Sequence, residues 1–129
     1  MDVPDETPDN LRYTAEHEWI RTDDGNIVVG ITDFAQDQLG DVVYVDLPGA
    51  GARIEVGQPF GEVESTKSVS DLYAPVSGTI VARNEELEDR PELINQDAYG
   101  QGWLVTIEPD DLADVAALLD VTAYNDLLS

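Results

Sequence analysis

The sequence predicts a mainly β protein, a sandwich or barrel built from short strands. Two observations carry that reading: β-rich runs recur at short intervals between Gly and Pro breaks, and one strand–turn–strand unit appears twice. A third limits it, because helical periodicity is confined to a short stretch after Thr32 and to the C-terminal tail. With 129 residues and 42% apolar content, the chain is long enough for one domain with its own core.

The elements follow in order. Residues 1–10, rich in Asp and Pro, read as a loose acidic terminus, with a single domain over 11–129. Leu11 to Arg21 reads as a strand, Thr22-Asp23-Asp24-Gly25-Asn26 as a turn with an Asp-Gly signal, and Ile27 to Ile31 as the returning arm. Thr32 then opens a helix of about two turns, in which Phe34, Ala35, Gln38 and Leu39 recur at helical spacing before Gly40 stops it. Strands are expected at Val42 to Leu47, Arg53 to Val56, Phe60 to Ser65, Val69 to Tyr73, Thr79 to Arg83 and Trp103 to Glu108. In the tail, Asp110 or Asp111 caps a helix with Leu112, Val115, Leu118 and Leu119 on one stripe, and a second helix runs from Thr122 through Leu128. Both apolar stripes are expected to pack on the sandwich.

The repeated unit is Leu47-Pro48-Gly49-Ala50-Gly51 followed by Ala52-Arg53-Ile54, echoed 27 residues later by Ala74-Pro75-Val76-Ser77-Gly78 and Thr79-Ile80-Val81. Each copy reads as strand, Pro-x-x-Gly turn, strand, and each is followed by a second break. Two such units joined through the hairpin around residue 67 imply a pseudo-twofold sandwich with that tip exposed at one end.

Composition removes several function classes. The formal charge is −22, from 28 acidic and six basic residues. So acidic a surface cannot neutralise phosphates, which argues against nucleic acid, and at ordinary salt it repels itself over about 10 Å. Loss of lysine with gain of Asp and Glu fits a salt-loaded cytoplasm. With no cysteine there is neither a disulfide framework nor thiol chemistry. No basic start with an apolar stretch appears, and the apolar runs are far shorter than a membrane span, so the expected location is the cytoplasm.

Lys67 is the chain's single lysine, placed in Val63-Glu64-Ser65-Thr66-Lys67-Ser68-Val69-Ser70 between two alternating segments. A chain that keeps one ammonium group at a hairpin tip points to chemistry arginine cannot supply, namely acylation or imine formation at the amine. A nucleophilic lysine needs burial or nearby cations, whereas the neighbours here are Glu64 and Asp71. An exposed lysine among small residues is instead suited to modification by another enzyme. The one histidine, His17, has no second His to build a zinc site and reads as structural or partner-facing. Asp23-Asp24 and Asp110-Asp111 lack the ligand pattern of a calcium loop. Nothing assembles an active site, and no catalytic residue or metal is expected.

Several pieces in register carry a resemblance: Tyr13 with His17-Glu18-Trp19, Gly30-Ile31-Thr32-Asp33-Phe34-Ala35-Gln36, Leu39-Gly40-Asp41, Leu47-Pro48 with Gly51, Val63-Glu64-Ser65 with Lys67 and Ser70-Asp71, Ala74-Pro75-Val76-Ser77-Gly78, Asn84, Pro91-Glu92-Leu93-Ile94-Asn95, and Gly102-Trp103-Leu104. Over roughly residues 11 to 108, with the helical tail in place, the chain resembles the glycine cleavage system H-protein family. The resemblance implies a barrel-sandwich hybrid in which Lys67 carries lipoate in amide linkage. It implies a non-catalytic carrier that takes an aminomethyl group from the pyridoxal-phosphate glycine decarboxylase (P protein) to the tetrahydrofolate-dependent aminomethyltransferase (T protein). The dithiol is then reoxidised by dihydrolipoamide dehydrogenase (L protein). By position, Glu18 and Asp71 match family acids near the cleft that shelters the loaded arm, while Glu64, Gly51 and Gly78 match positions linked to recognition by the lipoate-attaching enzyme. Thr66 stands where the family usually has Val, and Gln38 where it often has His.

Related carriers differ at the lysine. A biotin carrier is expected to flank it with Met, where this chain has Thr66 and Ser68, and a lipoyl domain of a 2-oxoacid dehydrogenase typically shows Asp-Lys-Ala. An unmodified binding module and a relay that passes its lipoyl group to other complexes are the remaining alternatives.

Overall fold

In a computed structural model of the chain, residues 11–128 are described. The loose terminus expected over 1–10 lies outside them. The described residues form two antiparallel sheets, one six-stranded in the order β1-β2-β3-β9-β8-β5 and one three-stranded in the order β4-β6-β7.

The first expected strand is in fact two. β1 (Arg12–Tyr13) and β2 (Glu18–Asp23) pair with Tyr13 opposite Trp19, and the chain reverses between them over Thr14 to His17. Thr14 Oγ1 accepts the backbone N–H groups of Glu16 and Glu18, and His17 takes φ 68°, a left-handed conformation unusual for a residue with a Cβ. A tight turn thus interrupts what the alternation presented as one arm. β3 (Asn26–Ile31) then returns through Asp24 and Gly25, both at positive φ, so the Asp-Gly signal is realised as a two-residue hairpin turn.

The helix α1 (Asp33–Leu39) is capped as anticipated: Thr32 accepts from the Ala35 N–H, and Gly40 closes it at φ 85°. β4 (Val42–Asp46), β5 (Arg53–Ile54), β6 (Pro59–Ser65), β7 (Val69–Tyr73), β8 (Gly78–Arg83) and β9 (Val105–Pro109) follow the expected strands within one to two residues at most ends. The echoed units behave alike. Each Pro-x-x-Gly turn carries the chain from the three-stranded sheet to the six-stranded one, where β5 and β8 pair with Arg53 opposite Thr79.

Inward residues of both sheets meet in one core that includes Ile20, Ile27, Val29, Val63, Ile80, Leu104 and Ile107, each at most 1% exposed. Burying them supplies the main drive to fold. A second cluster joins Leu11, Tyr13, Trp19 and Val28 to Tyr124 of α5 (Val121–Leu128). The tail therefore docks on the amino-terminal strands. The preceding helix α4 (Leu112–Ala116) has Asp111 as its cap but is shorter than the predicted stripe: Val115 is buried, Leu112 is exposed, and Leu119 bridges to Tyr13 through backbone hydrogen bonds instead of continuing the helix. Two one-turn helices absent from the sequence-based expectation, α2 (Glu86–Asp89) and α3 (Leu93–Gln96), fill the segment between β8 and β9.

Candidate functional site

The hairpin of β6 and β7 turns through Ser65, Thr66, Lys67 and Ser68. Ser65 organises it: its N–H donates to the Ser68 carbonyl, and its buried Oγ accepts the N–H groups of Lys67 and Ser68 at 3.3 and 3.1 Å. Thr66 N–H donates to the Asp41 carbonyl at 3.0 Å, which ties the tip to the chain entering β4. The Lys67 side chain is exposed and lies over Gly40, where an added Cβ would meet its Cε at 3.4 Å.

Gly40 is held by Asn95, a residue of the Pro91-Glu92-Leu93-Ile94-Asn95 run. Asn95 of α3 donates to the Gly40 carbonyl at 2.9 Å and to Gln36 Oε1 at 2.8 Å, and its own oxygen accepts the Val42 N–H at 2.8 Å. One amide thereby fixes the end of α1, the Gly40 turn and the start of β4. The only trace of it in the sequence is an Asn directly after the apolar pair Leu93-Ile94.

Beside the tip runs a cleft of about 290 Å³ between α1, β2 and the β6–β7 hairpin. Ile31, Phe34, Leu39, Val63 and Leu72 give it an apolar lining, with His17, Glu18, Ser70 and Asp71 as polar groups. Leu39 directly precedes the glycine on which the Lys67 stem rests. The space is at the small end of ligand pockets, a size suited to a narrow chain. A larger and more open groove of about 560 Å³ shares Glu16 and Glu18 with this cleft and is otherwise lined by Tyr13, Val56, Tyr73 and Leu119 among others. It does not border α1, whereas the smaller cleft reaches Leu39 beside Gly40, so the smaller one is relevant to Lys67.

The predicted site residues divide into two groups. Glu18 and Asp71 come together on the cleft, Asp71 exposed and Glu18 only 2% exposed. Glu18 Oε2 accepts the Tyr73 N–H at 2.8 Å and Oε1 accepts from Thr14 Oγ1 at 3.2 Å, so this acid also ties β2 to β7. Burial pushes its pKa up to about 8 against the opposing hydrogen bonds, which leaves it a neutral carboxyl at pH 7. Glu64 lies exposed on β6, paired with Val69 across the hairpin and with Tyr44 on β4. Gly51 lies in the turn before β5, its N–H donating to the Ile80 carbonyl at 2.8 Å, and Gly78 opens β8 opposite Ile54 of β5. Gly51 has φ 94° and open space around it, whereas a Cβ on Gly78 would be forced against the Glu108 carbonyl. Among the described residues no cluster of three or more His, Asp or Glu side chains is placed to hold a metal, and no helix is long and apolar enough to cross a membrane.

Two sheets enclosing one core, with a single lysine on a serine-braced hairpin turn beside a narrow cleft, are the architecture of a lipoyl-type β-sandwich. Comparison with known proteins narrows the class: the family model described as glycine cleavage H-protein matches residues 11–129. The chain belongs to that family. It is 58% identical over 119 residues to a glycine cleavage system H protein of Anaeromyxobacter sp. (strain K), covering 92% of this chain and 93% of that one. It is 50% identical over 122 residues to one from Anoxybacillus flavithermus, covering 95% and 96%. The crystal structure of a glycine cleavage system H protein from Mycobacterium marinum superposes with a TM-score of 0.86 at 44% identity, covering 93% of this chain and 97% of that one.

Proposed function

We propose that this chain is the non-catalytic swinging-arm carrier of the glycine cleavage system, with lipoate in amide linkage on Lys67. One observation carries the reading: the sole lysine of the sequence stands exposed on a braced turn, its stem over Gly40, which adjoins Leu39 of a largely apolar cleft of about 290 Å³. Residues 11–129 act as one carrier domain in the cytoplasm, serving the glycine decarboxylase and the aminomethyltransferase in turn, with dihydrolipoamide dehydrogenase regenerating the disulfide. Lipoate supplies the sulfur that takes up the aminomethyl group and the redox couple that follows.

The chain's own residues fit that cargo. Ser65 and the Asp41 carbonyl fix the turn, so the lysine backbone is held still while its amine projects. Lysine plus an eight-carbon acyl chain reaches on the order of 14 Å at ordinary bond lengths, enough to enter a partner's active site from a rigid scaffold. Between visits, the apolar wall of Ile31, Phe34, Leu39 and Leu72 accepts the aliphatic arm and excludes water. Asp71 and Glu18 then face its amino end. Glu18, neutral when alone, is drawn toward its ionised form by an ammonium placed beside it. Glu64, Gly51 and Gly78 serve the lipoate-attaching enzyme, Glu64 as a contact and the glycines by shaping the backbone.

Intact mass of protein from its natural source tests the reading. A lipoyl increment that maps to Lys67 and is lost in Lys67→Arg is expected. A biotin increment would replace the reading with a biotinyl carrier, and a lipoylated protein that supports no glycine-dependent carbon dioxide release with the partner enzymes would make it a lipoate relay.

A further inference from the structure

Among the described residues the ring of the only histidine has one hydrogen-bond partner, and that partner begins a chain. His17 Nδ1 lies 2.9 Å from the Tyr124 hydroxyl, which lies 2.8 Å from Thr32 Oγ1. Thr32 Oγ1 accepts the Ala35 N–H at 3.2 Å as the cap of α1. Both Thr32 and Tyr124 are fully buried, and the Tyr124 ring stacks on Tyr13 with centroids 4.7 Å apart, so its hydroxyl is fixed in place.

The donors and acceptors balance in one direction. Thr32 accepts from Ala35 and gives its proton to the Tyr124 oxygen, and Tyr124 gives its own proton to His17 Nδ1. Running in the opposite sense, the buried Thr32 hydroxyl proton has no acceptor among the described residues, a loss worth avoiding in the interior. Head-to-tail order also lets each bond strengthen the next. His17 is thereby an Nε2–H tautomer, and burial lowers its pKa so that the ring is neutral, the nearby Glu16 opposing that shift. Its ring tilts against Phe34 at 4.8 Å, both line the cleft, and Nε2 has no partner among the described residues.

We propose that Tyr124 is a positioning residue of the arm cleft: through the Thr32–Tyr124–His17 chain it holds His17 as an Nε2–H donor for the amide carbonyl of an acylated Lys67 docked there. That carbonyl is the one strong acceptor an acyl-lysine arm offers. A neutral donor suits the site better than an imidazolium, which would repel an ammonium cargo. The inference rests on the carrier reading, and it gives the C-terminal helix a task in the cleft beyond packing.

A chain with one histidine gives one set of imidazole signals, so nitrogen NMR of the full-length labelled protein is the test. At pH 7.5 the unacylated wild type is expected to show an unprotonated Nδ1 and a protonated Nε2; an Nδ1–H ring overturns the proposal. Enzymatic octanoylation of Lys67 should shift the Nε2 resonance, and the absence of any shift equally overturns it. Tyr124→Phe keeps the stacked ring but should give mixed tautomers and lose the octanoyl-dependent shift. In the aminomethyl-loaded protein it should speed cargo loss by about two- to tenfold, the worth of one hydrogen bond. Thr32→Ser, which keeps both cap and hydroxyl, should match the wild type in every readout, while Thr32→Val should resemble Tyr124→Phe. Failure of Lys67 to carry lipoate in native material would remove the carrier reading while leaving the tautomer result intact, so the two failures are distinguishable.

Discussion

The aliphatic stem of Lys67 packs over Gly40, 3.4 Å from the place where a Cβ would stand. Gly40 has φ 85° and ψ −159°, a backbone state that residues with a Cβ rarely adopt. The α1 stop signal and the seat of the lysine are therefore the same residue. Gly40→Ala is expected to cost about 1–3 kcal/mol, chiefly backbone strain, and to slow acylation of Lys67 because relief of that strain moves the turn on which the stem rests. Urea unfolding and a lipoylation time course measure the two effects. Wild-type values for both would show that the backbone relaxes freely there.

Gly51 and Gly78, proposed above to serve the lipoate-attaching enzyme, should separate on substitution. Gly51 needs its positive φ but has open space, so Gly51→Ala is expected to cost about 1–2 kcal/mol of left-handed strain and still fold. Gly78 is buried, and a Cβ there collides with the Glu108 backbone of the neighbouring strand and with Ile107. Gly78→Ala must part β8 from β9 and should lower the melting temperature more. If Gly51→Ala lipoylates poorly while melting near the expected value, its role lies in the turn shape presented to the attaching enzyme. Equal melting temperatures for the two variants would contradict this ordering.

Most of the strands were legible because half-buried strands alternate and their turns use residues with defined backbone preferences. Asp24-Gly25 and the two Pro-x-x-Gly turns are examples. Features that rest on the hydrogen bonds of one side chain were not. The reversal at Thr14 to His17 depends on the Thr14 hydroxyl and leaves no break in composition. The helices α2 and α3 are single turns, too short for a periodic signal, and neither has a side-chain cap. Of the site, Lys67 stood out by its solitude and Glu18 and Asp71 by resemblance. The burial of Glu18 against the Tyr73 N–H, the Asn95 clamp and the Tyr124 link to His17 all join residues more than 50 positions apart, which no local pattern encodes.

Glu18 should make stability depend on pH in an unusual sense. Its carboxyl is raised to about 8 in the fold from 4.5 when free, so the native state holds a proton that the unfolded chain has released. Stability from this group is full below about 4.5 and declines as pH rises to about 8. His17, lowered by burial, works oppositely but only below its ordinary value of 6.5, and Asp110, lowered by its hydrogen bonds from Arg53, acts only below 3.8. Between pH 7 and 8 the slope of the wild type should thus be negative. Glu18→Gln keeps an acceptor for the Tyr73 N–H and should flatten it. Urea midpoints across that window decide the matter, and a wild-type slope of zero would refute the buried-acid account. In the loaded carrier, the same variant should hasten loss of the aminomethyl group.

The last expectation concerns salt. With a formal charge of −22 and ion pairs among the described residues that are all at the surface, such as Arg53 with Asp110 and Arg83 with Glu88, attraction offsets little of the repulsion among the acids. Raising the ionic strength from 0.1 M to 1 M shortens the screening length from about 10 Å to about 3 Å. Repulsion between neighbouring carboxylates then fades, while short hydrogen bonds such as that of Glu18 are barely affected. The melting temperature should therefore climb with potassium chloride. Salting-out of apolar surface also stabilises folds at high salt, so a control is needed. Replacing exposed acids outside these ion pairs and the cleft lining, Asp23, Asp89 and Glu108, by lysine lowers the charge without touching the core. That variant should be more stable than the wild type in dilute buffer and gain less from added salt. If both proteins respond to salt equally, charge repulsion is not what limits this fold.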